Sequence, residues 1–258
     1  MICVRHVTPH YLRFLFVSAM ALVVSGCSIV QPKSFTFQAE LPENFTIGAV
    51  THYESESGEM CSKRKAFRSK ERNAANFVEL QLPLTDTAKG CSMVLKKVVL
   101  HIEGKWGKRE LEMSLQRASI TIRDEPSETV RPFPISGPFV FQAQCQWFFR
   151  TTGPRRYIVK ILECRALDAN GVVQKQLAGA ALQRDQLAGK TVKMVLTVAE
   201  EELPAVGDNW VKFPTGWKRC MGKGLDDLDA FCFGNTIDFK MFKMPDGRDC
   251  TVYPNCTE

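Results

Sequence analysis

The fold is decided by residues 139–164, FVFQAQCQWFFRTTGPRRYIVKILEC. In the first half, the odd positions are apolar, and Val140 and three glutamines stand between them: Phe139, Phe141, Ala143, Cys145 and Trp147. In the second half the alternating positions are Tyr157, Val159 and Ile161. A period of two predicts a strand with one buried face, and the residues between the halves, Thr151–Pro154, have the composition of a turn. We therefore predict a β-hairpin.

Two cysteines lie at matching distances from this turn. With the turn centred near Pro154, Cys145 and Cys164 fall almost opposite each other on the two strands. Side chains of opposed residues lie about 4.5–5.5 Å apart, which is close enough for a disulfide. We predict a bridge between these two cysteines.

Several other segments show the same alternation. Residues 93–103 carry Lys97, His101 and Glu103 on one face and, with Lys96 as an exception, an apolar set on the other, Val94, Val98, Leu100 and Ile102. A further clean alternation is formed by Val192, Met194, Leu196 and Val198, and shorter candidates lie at 35–40, 46–52 and 76–82. Roughly eight strands without strand–helix alternation predict a mainly β chain, folded as an antiparallel β-sandwich.

Two regions depart from simple alternation. Residues 111–115 are apolar at odd positions and residues 118–122 at even ones, which predicts a bulge or a turn near Gln116. Helical spacing occurs at residues 180–187 and at Leu225, Leu228 and Phe231. In the second helix we predict that three aspartates form the solvated first turn rather than a calcium site, because the spacing of an EF-hand loop is absent: Asp226, Asp227 and Asp229.

The composition is that of an ordinary globular chain, apart from its cysteines. The 258 residues are 45% hydrophobic and 24% charged, and ten are cysteine. In a reducing cytosol so many thiols indicate metal or redox sites, whereas in an exported protein they indicate disulfides. The N-terminus favours export, because Arg5 and Arg13 accompany an apolar core at 12–24 that is shorter than the roughly 20 residues of a membrane span.

The motif Val24-Ser25-Gly26-Cys27 follows directly after this core. It resembles the lipobox of bacterial lipoprotein precursors, in which an aliphatic residue and two small ones precede the cysteine that is lipidated. Small side chains let an extended backbone enter a peptidase, and a thiolate is the nucleophile that a lipid donor alkylates. The resemblance, confined to residues 1–30, implies cleavage before Cys27 and a lipid-anchored protein.

The resemblance also implies a location. Ser28 follows the cysteine, and a residue other than Asp at that position is typical of sorting to the outer membrane. We therefore expect a protein of the bacterial cell envelope, attached to the membrane through Cys27 and facing the periplasm from the outer membrane. A formal charge of +6 does not indicate nucleic acid as a partner for an exported chain.

Eight cysteines remain once Cys3 and the lipidated Cys27 are set aside. They are Cys61, Cys91, Cys145, Cys164, Cys220, Cys232, Cys250 and Cys256. An even set in an exported chain predicts four disulfides, and without C-x-x-C spacing we predict no metal. Sequence order favours Cys61 with Cys91 and leaves the last four to pair among themselves.

Four segments follow from these observations. We predict a cleaved signal peptide at 1–26, a lipid anchor and short tether at 27–34, a β-sandwich domain at 35–205 and a cysteine-rich C-terminal subdomain at 206–258. The last segment has four cysteines but little strand alternation, and so small a unit needs its bridges to fold.

Catalytic motifs are absent from the sequence. It contains no G-x-S-x-G elbow, H-E-x-x-H helix, P-loop or G-x-G-x-x-G turn. After the leader only two histidines remain, His52 and His101, and His101 lies on the polar side of a predicted strand. We predict no catalytic residue and no cofactor.

One stretch is strongly basic. Residues 61–72 contain one acid and six cations, Lys63, Arg64, Lys65, Arg68, Lys70 and Arg72. A solvated loop would explain such a run. The alternative is a patch for an anionic surface, either lipid head groups or an acidic protein, which the short tether would hold close to the membrane.

Two classes of function stay open. The first, which we favour, is a noncatalytic binding or scaffolding lipoprotein with a protein partner in the envelope, acting in envelope assembly or toxin neutralisation. The second is an envelope hydrolase that acts on lipid or cell-wall substrate through an unrecognised acid pair. A deep pocket with converging carboxylates or His52 would favour the enzyme, and a flat or grooved surface would favour binding.

Overall fold

The computed structural model describes residues 34–56, 60–68, 76–88, 90–125, 130–224, 227 and 229–257. The predicted signal peptide, Cys27 and nearly all of the tether lie outside the described residues, as do Lys70 and Arg72 of the basic stretch. Ser34, the last residue of the predicted tether, begins the first strand.

The described residues form many strands and no α-helix. None of their helices is long and apolar enough to cross a membrane. Two short 3₁₀ helices occupy Arg184–Gln186 and Gly207–Asn209. The strands, in chain order, are β1 Ser34–Glu40, β2 Phe45–Ser55, β3 Ser62–Arg68, β4 Phe77–Pro83, β5 Thr85–Ala88, β6 Cys91–Lys105, β7 Met113–Arg123, β8 Phe139–Thr152, β9 Tyr157–Leu167, β10 Val173–Leu177, β11 Gly179–Gln183, β12 Thr191–Val198, β13 Leu203–Pro204, β14 Trp210–Phe213, β15 Gly216–Cys220, β16 Phe239–Lys240, β17 Phe242–Lys243 and β18 Asp249–Cys250.

Two large sheets enclose one hydrophobic core. The first sheet has the order β18-β17-β9-β8-β12-β1-β4, with β10 beside β9 and β13 beside β8, and the second has the order β11-β7-β6-β2-β3, with β5 beside β6. A small third sheet has the order β14-β15-β16. Inward residues of both large sheets share one buried cluster, among them Phe37 and Val192 from the first and Leu100 and Ile120 from the second. The predicted mainly β sandwich with a disulfide-rich C-terminal part is confirmed.

The predicted hairpin consists of β8 and β9. The two strands pair antiparallel, with a turn at residues 153–156 and with Cys145 opposite Cys164. Both cysteines are fully buried and are joined by a disulfide. Phe141 and Trp147, which share the inward face of β8, enter the same core. Hairpin, register and bridge are confirmed.

Three further disulfides complete the predicted set. Cys61 pairs with Cys91, as sequence order predicts. The last four cysteines pair among themselves, as expected, and the structure gives the partners: Cys220 with Cys232 and Cys250 with Cys256. The Cys61–Cys91 bridge ties the beginning of β3 to the beginning of β6. The other two both lie within the C-terminal segment, residues 206–258.

Strand directions are mixed, which corrects the expectation of an antiparallel sandwich. β12 runs parallel to both of its neighbours, β1 and β8, and β11 runs parallel to β7. Alternation at Val192, Met194 and Leu196 indicates which face is buried but says nothing about direction. A parallel neighbour needs a long connection, and here other strands lie between β8 and β12 along the chain.

A β-bulge accounts for Lys96, the exception in the pattern of β6. His52 of β2 pairs with Lys97, whereas the next residue, Tyr53, pairs with Leu95. Lys96 is therefore the extra residue. Before it the main core contains Met93 and Leu95, and after it the even-numbered Val98, Leu100 and Ile102. Val94 is buried as well but lies outside that core.

The bulge predicted near Gln116 is wrong. β7 pairs with β6 without interruption over residues 113–121. The odd-numbered leucines before it do not face the core, because Leu111 is 90% exposed and Leu115 is 61% exposed. The apolar pattern of residues 111–115 thus reflects surface side chains rather than a change of buried face.

The two predicted helices are not found among the described residues. Residues 179–183 form β11, where parallel pairing to β7 overrides the helical spacing, and a 3₁₀ turn follows. Phe231 lies in an irregular segment, and Leu225, Leu228 and Asp226 lie outside the described residues. Short apolar runs fit either kind of structure, so tertiary pairing decides.

Asp227 holds a loop rather than the first turn of a helix. Its carboxylate accepts the backbone N–H groups of Lys223 at 3.0 Å and Ala230 at 2.8 Å. These two hydrogen bonds lower the pKa of Asp227. The exposed Asp229 contributes its backbone carbonyl to Arg219.

A second core covers the turn end of the hairpin. Phe149 and Ile158, which face inward from β8 and β9, pack with three aromatic residues of the C-terminal segment, Trp210, Phe242 and Tyr253. The Phe149 ring stacks on Tyr253 with 4.2 Å between centroids and meets Trp210 edge-on at 5.0 Å. β17 of the same segment pairs with β9 at the edge of the first sheet. The C-terminal segment is therefore built onto the hairpin.

Phe149→Ala is expected to lower the free energy of unfolding by about 3–5 kcal/mol, because it empties the centre of this second core. Phe148→Ala is the matched control, since the half-buried Phe148 lies on the opposite face of the same strand and its truncation is expected to cost about 1 kcal/mol. Denaturant unfolding of the oxidised protein measures both values. Equal losses for the two variants would contradict the second core.

Candidate functional site

The described part of the basic stretch forms β3, at the edge of the second sheet. Its side chains alternate between the two faces of that sheet. Lys63 and Lys65 pair with Tyr53 and Thr51, whose side chains are buried on the core side. Arg64 and Arg68 point the opposite way, to the outer face. The sequence patch is therefore divided by the strand that it forms.

The two lysines of β3 make contacts at the edge of the sandwich. The Lys63 ammonium donates to Asp86 at 2.9 Å and to the Thr87 carbonyl at 3.3 Å. The hydrogen bond from Lys63 is the main cause that lowers the pKa of Asp86. Lys65 lies over the ring of Phe67, with 5.2 Å from its Nζ to the ring centroid. Lys63 is thus already engaged by a carboxylate.

The arginines of β3 join other cations on the outer face of the second sheet. One cross-strand row contains Arg64, His52 and Lys97 in register. A second row contains Arg68, Gly48, His101 and Arg117 in register. Between the rows lie small residues, Ala66, Val50, Val99 and Ser119. We call the set Arg64, Arg68, His52, Lys97, His101 and Arg117 the basic face.

The geometry of a sheet fixes the dimensions of the basic face. Neighbouring strands lie about 4.8 Å apart, so the three cation-bearing strands and β2 span roughly 14 Å. The two rows are four residues apart along each strand, which corresponds to about 13 Å. All six residues of the basic face are exposed or half-exposed. The basic face is therefore an accessible surface of the sheet with two rows of positive groups, one above the other along the strands.

Carboxylates flank the basic face but do not neutralise it. Glu54 follows the first row on β2, and Glu103 follows the second row on β6. Within the described ranges, no ion pair engages Arg64, Arg68 or the other two permanent cations of the face. Among the residues that the structure describes, these two rows therefore have no carboxylate partner.

The pKa of His52, the histidine in the first row, is affected by burial and by the charges around it. Burial lowers the pKa of His52 from its ordinary value of 6.5, and the charges of Arg64 and Lys97 lower it further. Glu54 raises it by a smaller effect. The folded state therefore holds His52 less protonated than the unfolded chain does, so its contribution to stability is lost as the pH falls below about 6.5.

The basic face was only partly visible in the sequence. The stretch at 61–72 identified Arg64 and Arg68, and the alternation of 93–103 placed Lys97 and His101 on a polar face. What the sequence lacks is the order β7-β6-β2-β3, which brings these residues and Arg117 together. The signal that could have found them is the shared polar face of adjacent strands, once strand order is known.

A cavity of about 350 Å³ is the second feature of interest. It is lined by the loop between β6 and β7, by β9 and by the end of the chain, with Trp106, Glu112, Ile158, Lys160, Met244 and Tyr253 among its walls. Neither histidine lines it. Its volume lies at the lower end of the range for small-molecule sites.

The acidic groups around this cavity are already engaged. Glu112 pairs with Arg109 at 2.8 Å, and Asp246 lies 2.6 Å from Arg248. Behind the wall, Glu202 pairs with Lys160 at 2.5 Å and also accepts the Tyr253 hydroxyl. Two carboxylates that share a site would need one raised pKa, but the pKa of Asp246 is lowered by its hydrogen bonds to Arg248.

One titratable wall residue of the cavity is held in its neutral form. Burial raises the pKa of Tyr253, and the neighbouring Glu202 carboxylate raises it further. In the part of the chain that the structure describes, no group of three or more metal-type side chains is found either. Each carboxylate of the lining is therefore held by an arginine, Glu112 by Arg109 and Asp246 by Arg248, whereas a hydrolase needs an acid pair that is free to act on a substrate.

No protein-family model matches the chain, and neither a curated protein nor a solved structure matches it. Function must therefore be inferred from the chemistry of the basic face and of the cavity.

Arg64→Gln is expected to raise the pKa of the His52 imidazole, because it removes a positive charge that opposes protonation. Lys65→Gln is the matched control: it removes a charge from the next residue, on the opposite face of β3, and should leave the pKa of His52 unchanged. Histidine side-chain NMR between pH 4 and pH 9 (roughly the range needed around 6.5) reads the titration directly. A shift of the same size in both variants would mean that the two faces are not separated as described.

Proposed function

We propose that this chain is a lipid-anchored lipoprotein of the bacterial cell envelope, a noncatalytic binding module that faces the periplasm from the outer membrane. Its basic face docks an acidic surface of a protein partner. The observation that carries this proposal is the pair of cationic rows, which no carboxylate of the described residues neutralises. Charge complementarity of this kind steers association and selects partners.

The anchor rests on Val24-Ser25-Gly26-Cys27 and on the eight remaining cysteines, whose four disulfides suit an oxidising compartment. Residues 28–34 would span at most about 25 Å between the lipid and the first strand. A surface with weak intrinsic affinity would then act at a high effective concentration near the membrane.

A protein partner fits the basic face better than a lipid surface does. Arg64, Arg68 and Arg117 have planar guanidinium groups, which suit fixed, bidentate partners, either carboxylates or phosphates. The row between the cationic rows is small and half-apolar, with Val50 and Val99, so a partner can approach closely. Protein interfaces are typically enriched in arginine and have a central part from which water is excluded. Mobile lipid head groups do not require cations at fixed spacings.

Envelope assembly and toxin neutralisation both require this kind of docking, and the basic face does not distinguish between them. The alternative of an envelope hydrolase gains no support from the cavity, because its carboxylates are paired and both histidines lie on the outer face of the second sheet. We therefore retain binding as the function.

Cys27→Ser is expected to abolish lipid attachment. In a bacterial host the unaltered chain should lose residues 1–26 and incorporate labelled fatty acid, because the thiol is the acyl acceptor. Mass spectrometry of the N-terminal peptide and labelling with palmitate measure both changes. Cys3→Ser is the control and should leave labelling intact. A labelled Cys27→Ser variant, or an unlabelled parent, would contradict the anchor.

Charge reversal on the basic face is expected to weaken binding to an acidic polypeptide. The variant Arg64→Glu with Lys97→Glu should reduce affinity of the full chain, in nonionic detergent, for poly-L-glutamate by about tenfold at low salt, since each exposed pair contributes up to about 1 kcal/mol. The control, Lys65→Glu with Arg150→Glu, makes the same change in net charge away from the face.

The comparison of these two variants decides the proposal. A larger loss for Arg64→Glu with Lys97→Glu, which shrinks as salt is added, supports the basic face. Equal losses for both variants would mean that net charge alone is responsible. Binding to phosphatidylglycerol vesicles without binding to poly-L-glutamate would replace the protein partner by an anionic lipid surface.

A further inference from the structure

We propose that the cavity beside Trp106 binds a small carboxylate with a flat, apolar body. The site is separate from the basic face, and the proposal does not depend on the lipid anchor or on an acidic partner. It follows from the construction of the walls, from their chemistry and from the balance of hydrogen-bond donors and acceptors.

One wall is the loop between β6 and β7, which is organised around Glu112. After β6, the backbone N–H of Trp106 donates to the Glu112 carbonyl at 2.9 Å, and the backbone N–H of Glu112 donates to the Arg109 carbonyl at 3.0 Å. The Glu112 carboxylate also accepts the Arg109 backbone N–H at 3.0 Å. A Cβ on Gly107 would lie 2.0 Å from the same carboxylate, so only glycine fits there. The backbone and the carboxylate of Glu112 thus tie the two ends of the loop together.

The facing wall is apolar. Ile158 comes from β9, and Met244, Tyr253 and Pro254 come from the C-terminal segment. Ile158 and Tyr253 belong to the second core, and the Cys250–Cys256 disulfide holds the chain on either side of Tyr253. Together with the Trp106 indole, these side chains offer ring and aliphatic surfaces to a flat, apolar body.

Lys160 is the cation beside the apolar wall, whereas the other charged lining residues belong to loops: Lys108, Arg109, Glu112 and Asp246. The Lys160 ammonium lies 5.9 Å from the ring centroid of Trp106 and 5.9 Å from that of Tyr253. Glu202 Oε1 takes one of its three N–H donors, at 2.5 Å. The lysine is therefore fixed in place between two aromatic walls while it retains donor capacity.

One donor of the wall has no partner in the described part of the chain, while the carboxylates of the lining are engaged, Asp246 by Arg248 among them. The Trp106 indole N–H is buried and has no hydrogen-bond partner among the described residues. The acceptors nearby are engaged, since Glu112 binds Arg109, and Glu202 binds both Lys160 and Tyr253. A buried donor without a partner is costly, so the complementary ligand carries an acceptor group. Beside a lysine, a carboxylate is the acceptor with the strongest hydrogen bonds.

The test uses the full chain in nonionic detergent, labelled with ¹⁵N at its four tryptophans. The probes are benzoate, 3-phenylpropanoate and indole-3-acetate, each compared with the alcohol and the amine of the same carbon skeleton. Saturable, carboxylate-selective shifts are expected at the Trp106 indole resonance. Trp147, Trp210 and Trp217 report whether the fold is intact, and empty micelles correct for uptake by detergent.

Three variants connect the shift to the proposed donors. Trp106→Phe keeps an aromatic ring, although a smaller one, and removes the N–H; it should weaken carboxylate binding about threefold to tenfold, read by calorimetry. Lys160→Met should weaken it about tenfold or more, and Lys160→Arg should restore most of it, which separates loss of charge from loss of folding. Shifts that are equal for acid, alcohol and amine, or the absence of a saturable shift with all three carboxylates, would overturn the proposal.

Discussion

The fixed register of β8 against β9 is the constraint on which the rest of the structure depends. Cys145 faces Cys164 in the main core, while Phe149 and Ile158, nearer the turn, face inward on the same side of the hairpin. β8 has 14 residues and is therefore roughly 45 Å long. One buried face of that length serves two cores. The second sheet covers the first part, and the C-terminal segment covers the remainder, with its own two disulfides to compensate for its small size.

The two candidate sites follow from this division of the hairpin. The cavity lies where the loop after β6 meets the C-terminal segment across β9, so each of its walls belongs to a different part of the fold. The basic face lies on the far side of the second sheet, where nothing in the described residues covers Arg64, Lys97 or Arg117. One site is thus enclosed by packing, and the other is left open by it. This difference suits a small ligand in the first case and a macromolecule in the second.

The sequence predicts what depends on local alternation and misses what depends on strand order. The hairpin, the Cys145–Cys164 bridge and the sandwich class could be predicted, because side-chain period and turn composition are local properties. The direction of β12 could not, because its neighbours β1 and β8 are distant in sequence. The basic stretch was identified as a unit, but pairing with β2 sends Lys63 and Arg64 to opposite faces. The indole N–H of Trp106 gave no sequence signal, since its burial arises only from tertiary packing.

Edge protection is the simplest explanation for cations on β3, because positive side chains on an edge strand discourage pairing with another chain. It accounts for Lys63 and Lys65, but it does not extend to β6 and β7, which have neighbours on both sides and no free edge to protect. Lys97 and Arg117 nevertheless continue the two rows across these interior strands. Lys97 lies beside His52 and in the same row as Arg64, and the charges of Arg64 and Lys97 lower the pKa of His52 further than burial alone does. Repulsion between the positive groups of the basic face is relieved when an acidic surface covers them. Because the fold itself does not require these cations on β6 and β7, we infer a partner there.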